Sequence, residues 1–258
     1  MEPKNRLKPI VHGAWGQEMY DYELLQNVAL LAVCYAYVSI CIVVSGKASR
    51  LFGFSSKSSR KLLHILIGNL AFLIPLFTLN IIPLDFPFFV AAPFILVTFL
   101  ASPYSPARSL SARLEGLTGI TGEGHRLGLF YYAVSYTVLA LFFASKPYII
   151  AAGILPMAFG DASAAIVGEK YGRHQYRVFT KKSLEGSAAM FLVAFFSLEA
   201  SFLLFSVLYS LPMLVLTEAA LVVALTTTLA EALSPLGFDN ITVPMLGALA
   251  FLLLTGGL

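Results

Sequence analysis

The sequence predicts an all-α protein, a bundle of about eight transmembrane helices in a single integral-membrane domain over residues 1–258. Composition is the first observation, since 58% of the residues are hydrophobic and 12% are charged. Soluble domains carry about 25% charged residues, so this chain is poorly suited to water. The second observation is a series of apolar segments that approach the ~20 residues needed to cross a bilayer. The third is the alternation of Lys and Arg between those segments.

Eight apolar segments follow one another along the chain, and each is expected to form a helix. They lie at 24–45, 62–80, 86–101, 125–144, 147–168, 187–209, 212–233 and 240–258. The third is short and contains Pro87 and Pro93, so it could be tilted, kinked or re-entrant. Residues 1–23 have no apolar core and do not resemble a cleavable signal peptide.

Lysine and arginine alternate between the two sides of the predicted bundle. Thirteen of the 17 lie in the loops after the first, third and fifth segments, and the other four lie in the N-terminal tail and at Lys146. Because cytoplasmic loops are enriched in these residues, we expect an outside N-terminus and an extra-cytoplasmic tail at 1–23. In a prokaryote this would be a cell-membrane protein. The net charge of +3 is scattered and does not indicate nucleic acid binding.

An acid lies within the fifth segment. Asp161 is seven residues before its end, which places the carboxylate about 10 Å below the membrane boundary. Gly160, Ala164 and Gly168 form a ridge of small residues that lets another helix approach closely. Ionisable groups inside a membrane are usually functional, although a neighbouring hydroxyl could also satisfy a structural Asp161.

A Lys-Lys-Ser-Leu-Glu-Gly motif at 181–186 precedes the sixth segment. Ser183 is expected to cap the helix, and Lys181 and Lys182 beside a helix N-terminus would attract phosphates. Ordinary anchoring by positive charge is the competing interpretation. Glu185 favours the anion site, because anchoring does not require an acid there.

The loop between the last two segments has no lysine or arginine but carries Glu231, Asp239 and Asn240. Its position places these oxygen ligands at the same membrane face as Asp161. Carboxylates of this kind suit Mg²⁺, which keeps several waters and binds substrate phosphates. A polar turn without function is the alternative.

The second segment opens with Arg60 and His64, which share one helix face with Gly68. His64 would lie at the interface, within reach of a phosphate or a lipid hydroxyl, but a lone interfacial histidine is more often structural. Two further acids, Glu199 and Glu218, lie mid-membrane as either helix-contact groups or the lining of a lipid groove. The sequence does not choose between these.

Acids for a metal and cations for phosphates are the groups that phosphoryl transfer requires. The core of this site is expected between residues 160 and 244. With no soluble domain, one substrate is expected to be a lipid from the bilayer and the other a cytoplasmic nucleotide.

The motifs RKLLH (60–64), GDASAAIVGEKYG (160–172), KKSLEG (181–186) and EALSPLGFDNITVP (231–244) occur in this order. Together they resemble the CTP-dependent polyprenol kinase family, which includes dolichol, phytol and farnesol kinases and a CTP-using diacylglycerol kinase. Phosphatidate cytidylyltransferases are more distant relatives. They have a Lys-Asp pair and a glycine-rich, histidine-containing stretch at the last motif, which this chain lacks. The short chain looks more like phytol kinase than dolichol kinase.

The resemblance implies transfer of the γ-phosphate of CTP to an isoprenoid alcohol on the cytoplasmic face, with Mg²⁺ as cofactor. On this hypothesis the metal is held by Asp161, Glu231 and Asp239. Nucleotide or phosphate is bound by Lys181, Lys182, Arg173, Asn240, Thr242 and Arg60. Glu185 orients a lysine or the waters of the metal, and an aspartate or His64 accepts the hydroxyl proton.

Three other functions compete with this one. A cytidylyltransferase would attach CMP to a lipid phosphate, and a CTP-dependent diacylglycerol kinase would use a different acceptor. A transporter would carry protons or cations on its buried acids. Its acids should follow a path across the membrane, and only Glu199 and Glu218 lie away from the predicted site.

Overall fold

The structure, a computed structural model, describes residues 14–52, 55–78, 85–107, 109, 114, 117 and 127–258. Nine α-helices lie within these residues. They are α1 (Ala14–Phe52), α2 (Ser56–Gly68), α3 (Phe86–Leu100), α4 (Gly128–Phe143), α5 (Pro147–Leu155), α6 (Asp161–Tyr171), α7 (Leu184–Tyr209), α8 (Met213–Leu233) and α9 (Asp239–Thr255). Two 3₁₀ turns, Asn69–Phe72 and Ile74–Leu76, extend α2.

The predicted all-α membrane bundle is confirmed. Among the described residues, five helical stretches are long and apolar enough to cross a membrane, namely Tyr20–Ala48, Lys57–Leu76, Pro147–Tyr171, Leu184–Tyr209 and Met213–Leu233. The apolar helices α3, α4 and α9 are shorter. Together these eight match the eight apolar segments in order. Membrane crossing by the three shorter helices and an outside N-terminus stay predictions.

Several helix ends differ from the prediction, since α1 also extends to Phe52 and α2 begins at Ser56. Helix α1 begins at Ala14, so residues 14–23 are helical rather than an open tail, and 1–13 lie outside the described residues. Helix α7 begins at Leu184, three residues earlier than expected, because the side chain of Ser183 caps it. His125 and Arg126, which open the predicted fourth segment, also lie outside the described residues.

A short β-hairpin is a further difference. Strands β1 (Gln175–Arg177) and β2 (Lys181–Ser183) pair antiparallel, with Tyr176 opposite Lys182. The sequence analysis assigned this basic stretch to a loop. The hairpin fixes Lys181 and Lys182 on a strand directly before α7.

Helices α5 and α6 form one central span, joined by a π turn at Pro156–Gly160. Pro156 has no N–H to donate, so a regular helical ladder cannot continue through it. In the most apolar part of this span 78% of the residues are buried, against 22% in the most apolar part of α1. Asp161, the first residue after the π turn, is therefore surrounded by protein rather than lipid.

Glycines allow the central span to approach α9 very closely. A Cβ on Gly153 would lie 2.6 Å from the carbonyl oxygen of Pro244, and one on Gly247 would lie 2.7 Å from that of Ala152. Close backbone contact of this kind is typical of small residues between membrane helices. It holds α9, and with it Asp239, against the central span.

Candidate active site

A cavity of about 360 Å³ opens at one end of the bundle. It lies among the start of α2, the length of α6, the end of α8, the hairpin and the starts of α7 and α9. Its lining includes five cations and four acids: Lys57, Arg60, Lys61, Lys181, Lys182, Asp161, Glu169, Glu231 and Asp239. The structure thus brings the acids and cations of four separate sequence motifs into one polar cavity in an otherwise apolar molecule.

Asp161 forms an ion pair with Lys61 of α2. The side chains are 5% and 8% exposed, so both charges are removed from water. Charges buried in a low-dielectric region are stable only when paired. His64 lies one turn further along α2 than Lys61.

Glu231, near the end of α8, forms the second ion pair. Lys182 of β2 donates to both the carboxylate and the backbone carbonyl of Glu231. These side chains are 8% and 16% exposed. The hairpin register places Lys182 between α7 and α8, while the neighbouring Lys181 is exposed at the cavity.

Asp239 is the third buried acid, and no lysine or arginine among the described residues forms a salt bridge with it. Asn240 holds its carboxylate, through a side-chain donor at 2.8 Å and a backbone N–H at 3.0 Å. The carbonyl of Asn240 in turn accepts a 2.7 Å hydrogen bond from Ser135 of α4. Asn240 itself does not line the cavity, so the structure places it behind Asp239.

The ridge of small residues and the helix cap were predicted, and both are confirmed. The Ser183 hydroxyl accepts from the N–H of Gly186 at 3.1 Å. A Cβ on Gly186 would lie 3.0 Å from the carbonyl oxygen of Ala164, and one on Gly160 would lie 2.9 Å from the sulfur of Met190. Close packing of α6 on α7 therefore places the start of α7 beside Asp161.

Five residues predicted for the site do not line the cavity, namely Asn240, Glu185, Arg173, Thr242 and His64. Glu185 contacts His174 instead of a cavity lysine, accepting from its backbone N–H at 3.2 Å and contacting the ring nitrogen at 2.7 Å. Arg173 is exposed and outside the lining. Thr242 contacts the Ser234 hydroxyl at 2.5 Å and donates to the carbonyl of Phe238. The hairpin turns β1 toward the start of α7, which draws Glu185 to His174.

Arg60 and His64 take different positions. Arg60 is buried and lines the cavity. His64 is buried behind the lining, with its ring 4.7 Å from the ring of Tyr132. The shared face of α2 is a packing face, since a Cβ on Gly68 would lie 2.5 Å from that of Ala158.

Lys61 is the main residue that the sequence analysis missed. It was counted only as a positive charge in a loop, although it is as buried as the acid it contacts. A signal was available, because Asp161 needed a cation and the RKLLH motif offers two adjacent ones at a helix start. Thr180 and Gln175 of the hairpin region also line the cavity, and no pattern in the sequence indicated them.

The described residues contain no preformed cluster of three metal-ligating side chains. Asp161, Glu231 and Asp239 nevertheless line one cavity and interact electrostatically with one another. Mg²⁺ is usually bound by one or two carboxylates, its waters and the substrate phosphates, so a complete protein cage is not required. The donor set therefore fits Mg²⁺ delivered together with a polyphosphate.

The two mid-membrane acids lie outside the cavity. Glu199 of α7 accepts a 3.2 Å hydrogen bond from Thr217 of α8, and Glu218 is exposed on the outer surface of the bundle. Glu199 is fifteen residues beyond Leu184, about 22 Å along α7 from the hairpin end. The Glu199 contact joins two helices, whereas Glu218 faces the surroundings of the bundle.

Comparison with known proteins gives one relative of note. The chain is similar to a phytol kinase. That protein, from Synechocystis sp. (strain ATCC 27184 / PCC 6803 / Kazusa), is 38% identical over 144 residues. The alignment covers 54% of this chain and 60% of the relative. No family model matches the sequence, and no solved structure matches it.

Proposed function

We propose that this protein is a membrane-embedded lipid-alcohol kinase that transfers the γ-phosphate of CTP to an isoprenoid alcohol such as phytol, a polyprenol or dolichol. The observation that carries the proposal is the cavity in which three buried acids lie beside lysines and an arginine. Similarity to a phytol kinase supports an isoprenoid acceptor. The distribution of lysine and arginine between the two sides of the bundle supports a cavity that opens to the cytoplasm.

The cations of the cavity support the proposed binding of a triphosphate. Lys61 and Lys182 are neutralised by carboxylates, while Lys181 is exposed at the same cavity. Phosphate oxygens form strong charge-assisted hydrogen bonds with lysine and arginine, so a bound triphosphate would compete with the carboxylates for these cations. The N-terminus of α7 adds favourable electrostatics for an anion.

The carboxylates released in this way would be available to Mg²⁺. Asp161, Glu231 and Asp239 are the residues that would hold it. When bound, Mg²⁺ would neutralise the charge that develops on the phosphate oxygens. Asn240 keeps the Asp239 carboxylate in position for either metal binding or proton acceptance.

The reaction forms a bond between the alcohol oxygen and the γ-phosphorus and breaks the bond from that phosphorus to the bridging β–γ oxygen. CDP leaves, and the hydroxyl proton passes to a carboxylate of the cavity. We assign Asp161 or Asp239 to this step in preference to His64, which lies behind the lining. A carboxylate within hydrogen-bond reach of the hydroxyl is the geometry that general base catalysis needs.

The experiment uses the purified protein in detergent with Mg²⁺, lipid alcohols and lipid phosphates, and CTP labelled at either the γ- or the α-phosphorus. Label from the γ-position in an isoprenoid alcohol is expected, and the best acceptor identifies the alcohol. Phosphorylation of diacylglycerol alone would change the acceptor class. Label from the α-position in a lipid phosphate would identify a cytidylyltransferase and overturn the proposal.

A further inference from the structure

An apolar groove lies among α1, α2, α3 and α4, and the proposed reaction does not account for it. Leu63 and Leu70 mark its length along α2, about 10 Å. The groove is partly open and encloses about 60 Å³, so it admits only the end of a lipid chain, and its lining is almost entirely hydrocarbon. Its lining includes no lysine, arginine, aspartate or glutamate among the described residues, in contrast to the cavity.

Three hydroxyl groups line the groove, and two of them are engaged. Thr98 donates to the carbonyl of Phe94 at 2.5 Å, and Tyr132 donates to the carbonyl of His64 at 3.3 Å. The hydroxyl of Tyr136 is fully buried without a hydrogen-bond partner among the described residues. A buried hydroxyl of this kind costs free energy unless a ligand or water satisfies it.

The groove leads to the cavity through one pair of side chains. Tyr132 lines the groove, and its ring lies 4.7 Å from the ring of His64. His64 lies one turn along α2 from Lys61, whose side chain contacts Asp161 in the cavity. Tyr136 lies one helical turn from Tyr132, with ring centroids 6.3 Å apart. Tyr136, Tyr132 and His64 therefore form a series that leads from the apolar groove toward Lys61 of the polar cavity.

We propose that the groove binds the hydroxyl-bearing end of the isoprenoid acceptor, with the Tyr136 hydroxyl hydrogen-bonded to the entering alcohol and the Tyr132–His64 pair forming the wall it passes to reach the cavity. This inference rests on the proposed function. A branched hydrocarbon with one neutral hydroxyl matches an apolar lining with one unsatisfied hydroxyl. A charged lipid headgroup does not, because nothing in the described lining would neutralise it.

Photo-crosslinking tests the location of the acceptor without relying on activity. The probe is an isoprenoid alcohol that carries a diazirine near its hydroxyl end, added to the full-length protein in detergent. We expect crosslinks on peptides of α3 and α4 that contain Val90, Ala91 and Tyr136, and we expect unlabelled phytol to compete with them. Crosslinks confined to the outward faces of α7 and α8 would overturn the proposal.

Kinetics of Tyr136→Phe tests the role of the hydroxyl. We expect the KM for the alcohol to rise about fivefold, as for loss of one hydrogen bond, with the CTP affinity unchanged. Tyr148→Phe is the matched control, because its hydroxyl lies at the other end of the central span, near Gly257. An unchanged KM in Tyr136→Phe, or an equal rise in both variants, would contradict the assignment.

The two proposals fail separately. Transfer of γ-label together with crosslinks outside the groove would support the kinase activity and refute the groove as the acceptor site. Crosslinks in the groove that unlabelled phytol prevents, without label transfer from CTP, would support the groove as an isoprenoid site and refute the proposed kinase activity.

Discussion

At the residue scale, the cavity is marked by two lysines, each of which forms an ion pair with a buried carboxylate. Lys61 contacts Asp161 and Lys182 contacts Glu231, with all four side chains at most 16% exposed. A buried ion pair contributes little net stability, but loss of one partner leaves an uncompensated charge. Because such pairs are poor stabilisers, their presence at one cavity is better explained by the phosphates that these cations would bind.

Replacing Lys61 by Met is expected to destabilise the fold by about 3 kcal/mol, because Asp161 loses the lysine that contacts it. The double variant Lys61→Met/Asp161→Asn should regain most of that stability. Lys57→Met is the matched control, since Lys57 and Glu169 form an exposed pair at 3.6 Å whose loss should cost less than about 1 kcal/mol. Unfolding in detergent measures all three, and equal losses for Lys57 and Lys61 would contradict the account.

Replacing both members of the second pair, in Lys182→Met/Glu231→Gln, is expected to weaken CTP binding about tenfold or more with the fold retained. A charge-assisted hydrogen bond contributes roughly 1.5–3 kcal/mol, which is the reason for this magnitude. Lys170→Met is the control, because Lys170 is exposed and lies over Tyr171 outside the cavity lining. Equilibrium binding of labelled CTP provides the measurement, and equal affinities in both variants would refute the role of Lys182.

The residue types of the site could be read from the sequence, but not their pairing. Asp161, Glu231, Asp239, Lys181 and Lys182 all reach the cavity, as their motifs predicted. Lys61 was missed and Glu185 was misplaced, because both depend on which helices become neighbours. The RKLLH motif offers cations that could pair with Asp161, but the contact between residues 61 and 161 depends on the packing of α2 on α6, which the sequence does not show.

At the scale of elements, small residues determine how closely the helices approach. The ridge on α6 was visible in the sequence because its spacing matches one helix face. The hairpin was not visible in the sequence, because its two strands have three residues each and lie within a basic stretch. The π turn was also missed, although Pro156 is the residue that prevents regular helix there.

Gly153→Ala is expected to destabilise the protein by about 1–3 kcal/mol, because its methyl group would meet a backbone oxygen of Pro244 that cannot rotate away. Gly168→Ala should cost less, since its nearest neighbour is the Ser183 side-chain oxygen at 3.1 Å. Unfolding temperatures of the two variants in one detergent compare them directly. A larger loss in Gly168→Ala would show that the contact between α5 and α9 is looser than described.

At the scale of the whole molecule, composition and segment length were enough to predict the bundle. Eight apolar helices occur in the predicted order, and their ends move by a few residues. The sequence could not indicate that the span of α5 and α6 lies at the centre, because its mean hydropathy of 1.7 falls inside the range of 1.3 to 2.4 of the five long stretches. Burial distinguishes them, and it depends on the packing of the complete bundle.

Orientation is predicted from lysine and arginine alone and can be tested with two cysteine variants. Arg173→Cys places an exposed thiol at the same end of the bundle as the cavity, and Ser210→Cys places one after α7 at the other end of that helix. The native Cys34 and Cys41 are buried and should not react. A membrane-impermeant maleimide should label Ser210→Cys in intact cells and Arg173→Cys only after permeabilisation. The reverse pattern would place the cavity outside.

The central claim is that phosphoryl transfer occurs at Asp161. Its most direct test is transfer of label from γ-labelled CTP to phytol by the wild type, Asp161→Asn and Glu185→Gln, purified in parallel. We expect Asp161→Asn to lose at least about a hundredfold in rate, which corresponds to about 2.7 kcal/mol of transition-state stabilisation. Glu185→Gln, whose carboxylate contacts His174 outside the cavity, should retain activity within about threefold. Full activity in Asp161→Asn would contradict the account.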